Sequence, residues 1–74
     1  ERRPRQAAFA GSDRQVRGRI MALLRSADAP VSREEALMVA TEGGVRDKDQ
    51  PRRALESLIA DGLAVESGSR LRLP

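Results

Sequence analysis

The chain has 74 residues, a formal net charge of +3 and neither cysteine nor histidine. Disulfides, thiolate zinc sites, iron–sulfur ligation and imidazole acid–base catalysis therefore have no residues to use here, and no metal or cofactor site is expected in this segment. A chain this short forms one small domain burying little more than half of its unfolded surface, and its apolar runs are too brief to span a bilayer or act as a signal peptide, so a soluble, cytoplasmic protein is expected.

Charge is unevenly placed along the chain. Residues 1–25 hold seven arginines against Glu1 and Asp13, whereas residues 26–45 set Arg33 against Asp28, Glu34, Glu35 and Glu42. Residues 46–62 balance Arg46, Lys48, Arg52 and Arg53 with Asp47, Asp49, Glu56 and Asp61. Thirteen arginines stand beside a single lysine. Together with abundant alanine, this bias matches a GC-rich genome and lowers the weight of any one arginine.

Residues 1–11 combine charge, proline, glycine and small side chains without periodicity, which reads as a basic tail or linker before a domain over residues 12–74. Ser12 or Asp13 can cap a helix in which Val16, Ile20, Leu23 and Leu24 form one apolar stripe bordered by Met21, giving a first helix over about 13–26. Gly18 inside it costs about 1 kcal/mol relative to alanine, and either a close contact on that face or sequence drift would account for it. Pro30 disfavours helical geometry at Ala29 and leaves Val31 a short extended contact. Ser32 and Glu35 have capping-box spacing; Ala36, Leu37, Val39 and Ala40 make the apolar side of a second helix over about 33–41, and Gly43–Gly44 ends it.

A third helix is expected over about 50–61, with Asp49 as its cap, Pro51 in its first turn and Gly62 as a left-handed exit. Its buried stripe would be Ala54, Leu55, Leu58 and Ile59, followed by Leu63. "AVES" and "RLRL" then read as a hairpin turning at "GS", with Val65, Leu71 and Leu73 inward and Glu66, Arg70 and Arg72 outward. Helix, short extended piece, helix, helix, hairpin is the order of a winged helix-turn-helix domain, an α+β fold that is mainly helical. A three-helix bundle with a frayed C-terminus would leave Leu71 and Leu73 without a role.

In a DNA-binding winged helix the third helix enters the major groove and the hairpin touches the backbone or minor groove. The exposed side of helix three would offer Gln50, Arg52, Arg53, Glu56 and Ser57, preceded by Arg46 and Lys48. Gln50 or Arg53 can read a base edge, while the other cations neutralise phosphates. Arg14, Arg17, Arg70 and Arg72 complete the candidate DNA-binding set, the last two serving equally for phosphate contact or plain solubility, and Arg2, Arg3 and Arg5 form either a basic arm on DNA or, as such runs more often do, a solvated linker. Against this, the zero net charge of residues 46–62 gives little non-specific affinity, and the same side chains serve equally as a solvated face with an Arg52–Glu56 pair one turn apart. No catalytic residue is identified: Glu34 and Glu35 sit in a first helical turn, where they favour the helix dipole, and no nucleophile–base pair accompanies them.

Over "FAGSDRQVRGRIMALLRSADAPVSREEA" and "DQPRRALESLIADGLAVESGSRLRLP" the chain resembles the C-terminal region of A/G-specific adenine DNA glycosylases from high-GC bacteria. The most specific part is the aromatic–Ala–Gly–Ser/Thr–Asp–Arg–Gln stretch, here Phe9 to Gln15; the Ala60 to Leu63 ending recurs in many winged helices. The resemblance implies a parent hydrolase that acts in base excision repair, flipping out adenine mispaired with 8-oxoguanine and hydrolysing its glycosidic bond. The family's helix–hairpin–helix, catalytic carboxylates and 4Fe-4S cluster cysteines would lie before Glu1, making this chain a non-catalytic accessory domain. Its partners would be DNA, the N-terminal catalytic domain of the same protein, or both, and it would be a monomer. A protein-interaction winged helix is a second reading, and the DNA-binding domain of a transcription regulator a third, although no long dimerisation helix is present. Phe9, the chain's only aromatic residue, either folds back near Val16 or Ile20 or pins the junction to a preceding domain.

Overall fold

The computed structural model describes residues 12–74. The basic arm and Phe9 lie outside the described residues. Ser12 has extended backbone geometry and its hydroxyl accepts a hydrogen bond from the Gln15 amide at 3.2 Å, which starts helix α1 at Asp13–Ser26. Val16, Ile20 and Leu24 form its buried stripe, as their spacing predicts. Strand β1, Val31–Ser32, leads directly into helix α2, Arg33–Thr41, where the Ser32 hydroxyl accepts from the Glu35 amide at 3.0 Å. Helix α2 buries two alanines, Ala36 and Ala40, and small side chains let it lie close against its neighbours.

Helix α3, Gln50–Ala60, is followed by strands β2, Val65–Ser67, and β3, Arg70–Arg72. The expected hairpin is part of a three-stranded antiparallel sheet in the order β1-β3-β2, in which Val31 opposes Leu71 and Leu71 opposes Glu66. The result is three helices plus a small antiparallel sheet, the winged-helix arrangement expected from the element order. Ile20, Leu55, Leu58, Leu71 and Val16 are the largest fully buried apolar side chains. With no aromatic among the described residues, this aliphatic set is the main source of stability, and truncating one of its leucines to alanine costs about 2–5 kcal/mol.

Positive φ angles at Gly44 (100°) and Gly62 (79°) provide the exits from α2 and α3. Gly43 serves a different purpose from the paired glycine exit anticipated in the sequence. The Arg19 guanidinium occupies the space that a β-carbon at Gly43 would take, and from there it donates to the carbonyls of Ala40 and, at 3.3 Å, Gly44. A side chain of α1 thus satisfies the Ala40 carbonyl in the last turn of α2 and the Gly44 carbonyl just beyond it. Gly18, by contrast, meets no atom within 4 Å of an added β-carbon, so the expected close contact on its face is not made within the described residues.

Three local expectations are corrected. Asp49 has helical backbone angles and makes no side-chain cap; instead the Asp47 carboxylate accepts from the Asp49 amide at 2.9 Å and shapes the turn before α3. Leu63, expected in the buried stripe, is 43% exposed, and Ala64 is buried in its place. Both amides bond back to the Leu58 carbonyl, which rotates the chain out of helical phase. The β2 alternation is consequently displaced by one residue: Glu66 shares the Leu71 face of the sheet, and Val65 shares the face of Arg72.

Candidate nucleic-acid interface

The residues expected to contact DNA divide into those held by other side chains and those left open. Gln50, expected on the exposed face of α3, is 1% exposed. Its amide nitrogen donates to the Asp13 carboxylate at 2.6 Å and its oxygen accepts from the Arg46 backbone amide at 2.7 Å. Both polar ends are occupied, so Gln50 ties the start of α3 to the start of α1 and to the preceding loop. At 1% exposure, it does not present its amide to a base edge.

On the exposed side of α3 the arginines are paired with carboxylates. Arg53 grips Asp47 through two hydrogen bonds of 3.0 Å, and Arg52 lies 3.2 Å from Asp49. The hydrogen bond from Arg53 lowers the Asp47 carboxyl below its ordinary value, and the same bond raises the Arg53 guanidinium. The anticipated Arg52–Glu56 pair is absent, because Glu56 bonds Arg33 at 3.0 Å while the other Arg33 nitrogen takes Glu66 at 2.8 Å. Arg33 therefore links α2, α3 and β2. Arg17 reaches Asp61 at 2.9 Å, joining α1 to the end of α3.

A shallow cleft of about 240 Å³ between α1 and α3 is lined by Asp13, Arg17, Arg53, Ala54 and Ser57. The Ser57 hydroxyl donates to the Ala54 carbonyl at 2.9 Å, and no imidazole or thiol is available in the chain to activate it. Among the described residues no group of three or more acidic, histidine or cysteine side chains could hold a metal ion, and no helix is long and apolar enough to cross a membrane.

Arg14, Lys48, Arg70 and Arg72 are exposed and have no carboxylate within ion-pair distance among the described residues. Arg70 and Arg72 flank the buried Leu71 on the central strand and so project from the same outward face of the sheet. Arg46 keeps its side chain at the surface of the α2–α3 loop, its backbone amide held by Gln50. Sequence reasoning missed Arg19, Arg33 and Asp47 as organising residues. Only Arg19 left a local signal, its spacing of four from Gln15, whose side chain it bonds at 3.0 Å.

The chain is 48% identical over 71 residues to a curated adenine DNA glycosylase from Mycobacterium tuberculosis, an alignment that takes in 95% of this chain. The chain is homologous to a segment of adenine DNA glycosylases. The corresponding glycosylase of Mycolicibacterium smegmatis is 41% identical over 59 residues, or 80% of this chain. The chain spans only about a fifth of these relatives, 22% of the tuberculosis protein and 19% of the smegmatis one. No family model and no solved structure matches.

Proposed function

We propose that this chain is a non-catalytic, monomeric winged-helix accessory domain of an adenine DNA glycosylase, positioned C-terminal to the catalytic domain, that helps to hold duplex DNA during base excision repair. The observation that carries the reading is its similarity along 95% of its length to proteins of which it makes up only 22%. The described residues supply no nucleophile–base pair, so adenine release belongs to the rest of the parent protein. Holding a duplex asks less of a small domain, because a few exposed cations that neutralise phosphates give sequence-independent affinity. A lesion-removing enzyme benefits from contact of that kind, since the mispair occurs in any sequence.

A second reading, packing on the catalytic domain or another protein, is favoured by one observation: Arg17, Arg33, Arg52 and Arg53 are all held by carboxylates. The two readings separate in a binding experiment with the chain alone. The proposed function predicts binding to duplex DNA at ~50 mM salt, equal affinity for duplexes with and without an adenine·8-oxoguanine mispair, and no release of adenine. Absence of binding at that salt sinks the DNA-holding role and supports protein packing.

A further inference from the structure

We propose that the outward face of the three-stranded sheet, presenting Arg70 and Arg72, is the surface that holds the DNA backbone, and that α3 is closed to base reading. This inference rests on the DNA-holding function proposed above and specifies where on the domain it is exercised.

The displaced alternation of β2 sets the charge of this face. Had Glu66 faced outward, as the sequence pattern suggests, its carboxylate would stand on the same face as Arg70 and Arg72 and offset them. The register places Glu66 opposite Leu71, on the inner side, where it bonds Arg33 at 2.8 Å. The residues that share the outward face with the two arginines are Ser32 and Ser67 beside Arg70 and Val65 beside Arg72. None is acidic. Glu34 lines a cleft with Ser32 and Ser69, and Asp28 lines a groove with Arg72, and neither forms an ion pair with Arg70 or Arg72.

Both arginines are exposed, and among the described residues the one side-chain hydrogen bond formed by either runs from Arg72 to the Leu73 carbonyl at 3.1 Å, so no carboxylate among those residues has to be displaced for a phosphate to reach them. Two residues apart on an extended strand, their backbone positions are about 6.7 Å apart, a spacing comparable to that of neighbouring phosphates on one strand of DNA. Helix α3 presents the opposite situation. Arg52 and Arg53 are engaged by Asp49 and Asp47, Gln50 is buried, and Glu56 lies on the same exposed surface. A phosphate approaching α3 meets guanidiniums already paired with carboxylates, whereas one approaching the sheet meets two guanidiniums without a carboxylate partner among the described residues. Backbone contact from this face carries no sequence information.

The test measures binding of the 74-residue chain to a short labelled duplex of mixed sequence between about 50 and about 200 mM salt. Two double variants are compared, Arg70→Ala with Arg72→Ala and Arg52→Ala with Arg53→Ala. Each removes two positive charges from exposed positions, so net charge cancels from the comparison, and thermal melting verifies that both fold. Loss of two phosphate contacts lowers the slope of log affinity against log salt by about 1.8, so over this fourfold salt range the wild type loses about twelvefold more affinity than the sheet variant. The α3 variant keeps the wild-type slope. A sheet variant with an unchanged slope beside an α3 variant with a reduced one overturns the inference while leaving the DNA-holding function standing. Failure of the wild type to bind at all removes that function, and the inference with it.

Discussion

Replacing Gln50 tests whether the start of α3 is held by a buried polar side chain rather than offered to solvent. In Gln50→Ala two hydrogen bonds vanish, one to the Asp13 carboxylate and one from the Arg46 amide, and a 1% exposed side chain is truncated. A bond to a charged group contributes about 1.5–3 kcal/mol and a neutral one about 0.5–1.5 kcal/mol. Asp13 is exposed and regains water when its partner is lost, which places the sum near the lower ends of both ranges, at about 2 kcal/mol. With a urea dependence near 1 kcal/mol per molar for a domain this small, the unfolding midpoint falls by about 2 M. Gln50→Glu sharpens the test, because it keeps an acceptor for the Arg46 amide but sets a second carboxylate against Asp13. That pair binds a proton more tightly when folded than when unfolded, so the stability of the variant falls as pH rises through the carboxylate range and recovers on acidification. A midpoint shift under about 0.5 M for Gln50→Ala, or a Gln50→Glu variant indifferent to pH, would refute the reasoning.

Gly18→Ala, with nothing within 4 Å of the added methyl, stabilises the domain by about 1 kcal/mol and raises its melting temperature by about 4–8 °C; a decrease would show that α1 packs there differently. Gly43→Ala displaces the Arg19 guanidinium from the end of α2 and costs about 1 kcal/mol, a penalty that urea unfolding should find much reduced in an Arg19→Ala background. Asp47→Asn removes the carboxylate gripped by Arg53. Because the folded Asp47 titrates below its ordinary 3.8, its contribution is present above that value and is lost as pH falls through the lower, folded one. The wild type is therefore the more stable of the two at neutral pH, and the difference closes in acid; a gap that persists in acid would locate the effect elsewhere.

The helices are legible in the sequence because their determinants are local. Val16, Ile20 and Leu24 repeat at helical spacing behind Ser12, and Ser32 stands three residues before Glu35, so apolar period and cap agree. The candidate surface is less legible because it depends on contacts far apart in the chain. Arg17 meets its carboxylate 44 residues on, and Arg33 meets its two partners 23 and 33 residues on. Nothing near those arginines marks them as occupied. Gln50 misled for a similar reason: a glutamine beside a proline at a helix start looks solvent-facing until Asp13, 37 residues earlier, is seen to need its amide. The parity of β2 depends on how the chain leaves α3. The Leu63 and Ala64 amides both turn back to Leu58, moving the alternation by one residue and sending Glu66 inward. That single displacement decides the charge of the outward sheet face.

The central claim, a domain that holds DNA but takes no part in chemistry, is tested most directly in an adenine DNA glycosylase carrying this segment. The enzyme is compared with and without residues 12–74, measuring duplex affinity and the single-turnover rate of adenine release at saturating enzyme. The account predicts affinity weakened about tenfold, equivalent to about 1.4 kcal/mol, with the release rate unchanged within about twofold. A release rate that collapses while affinity holds would contradict it, since the segment would then act on the reacting base rather than on the duplex around it.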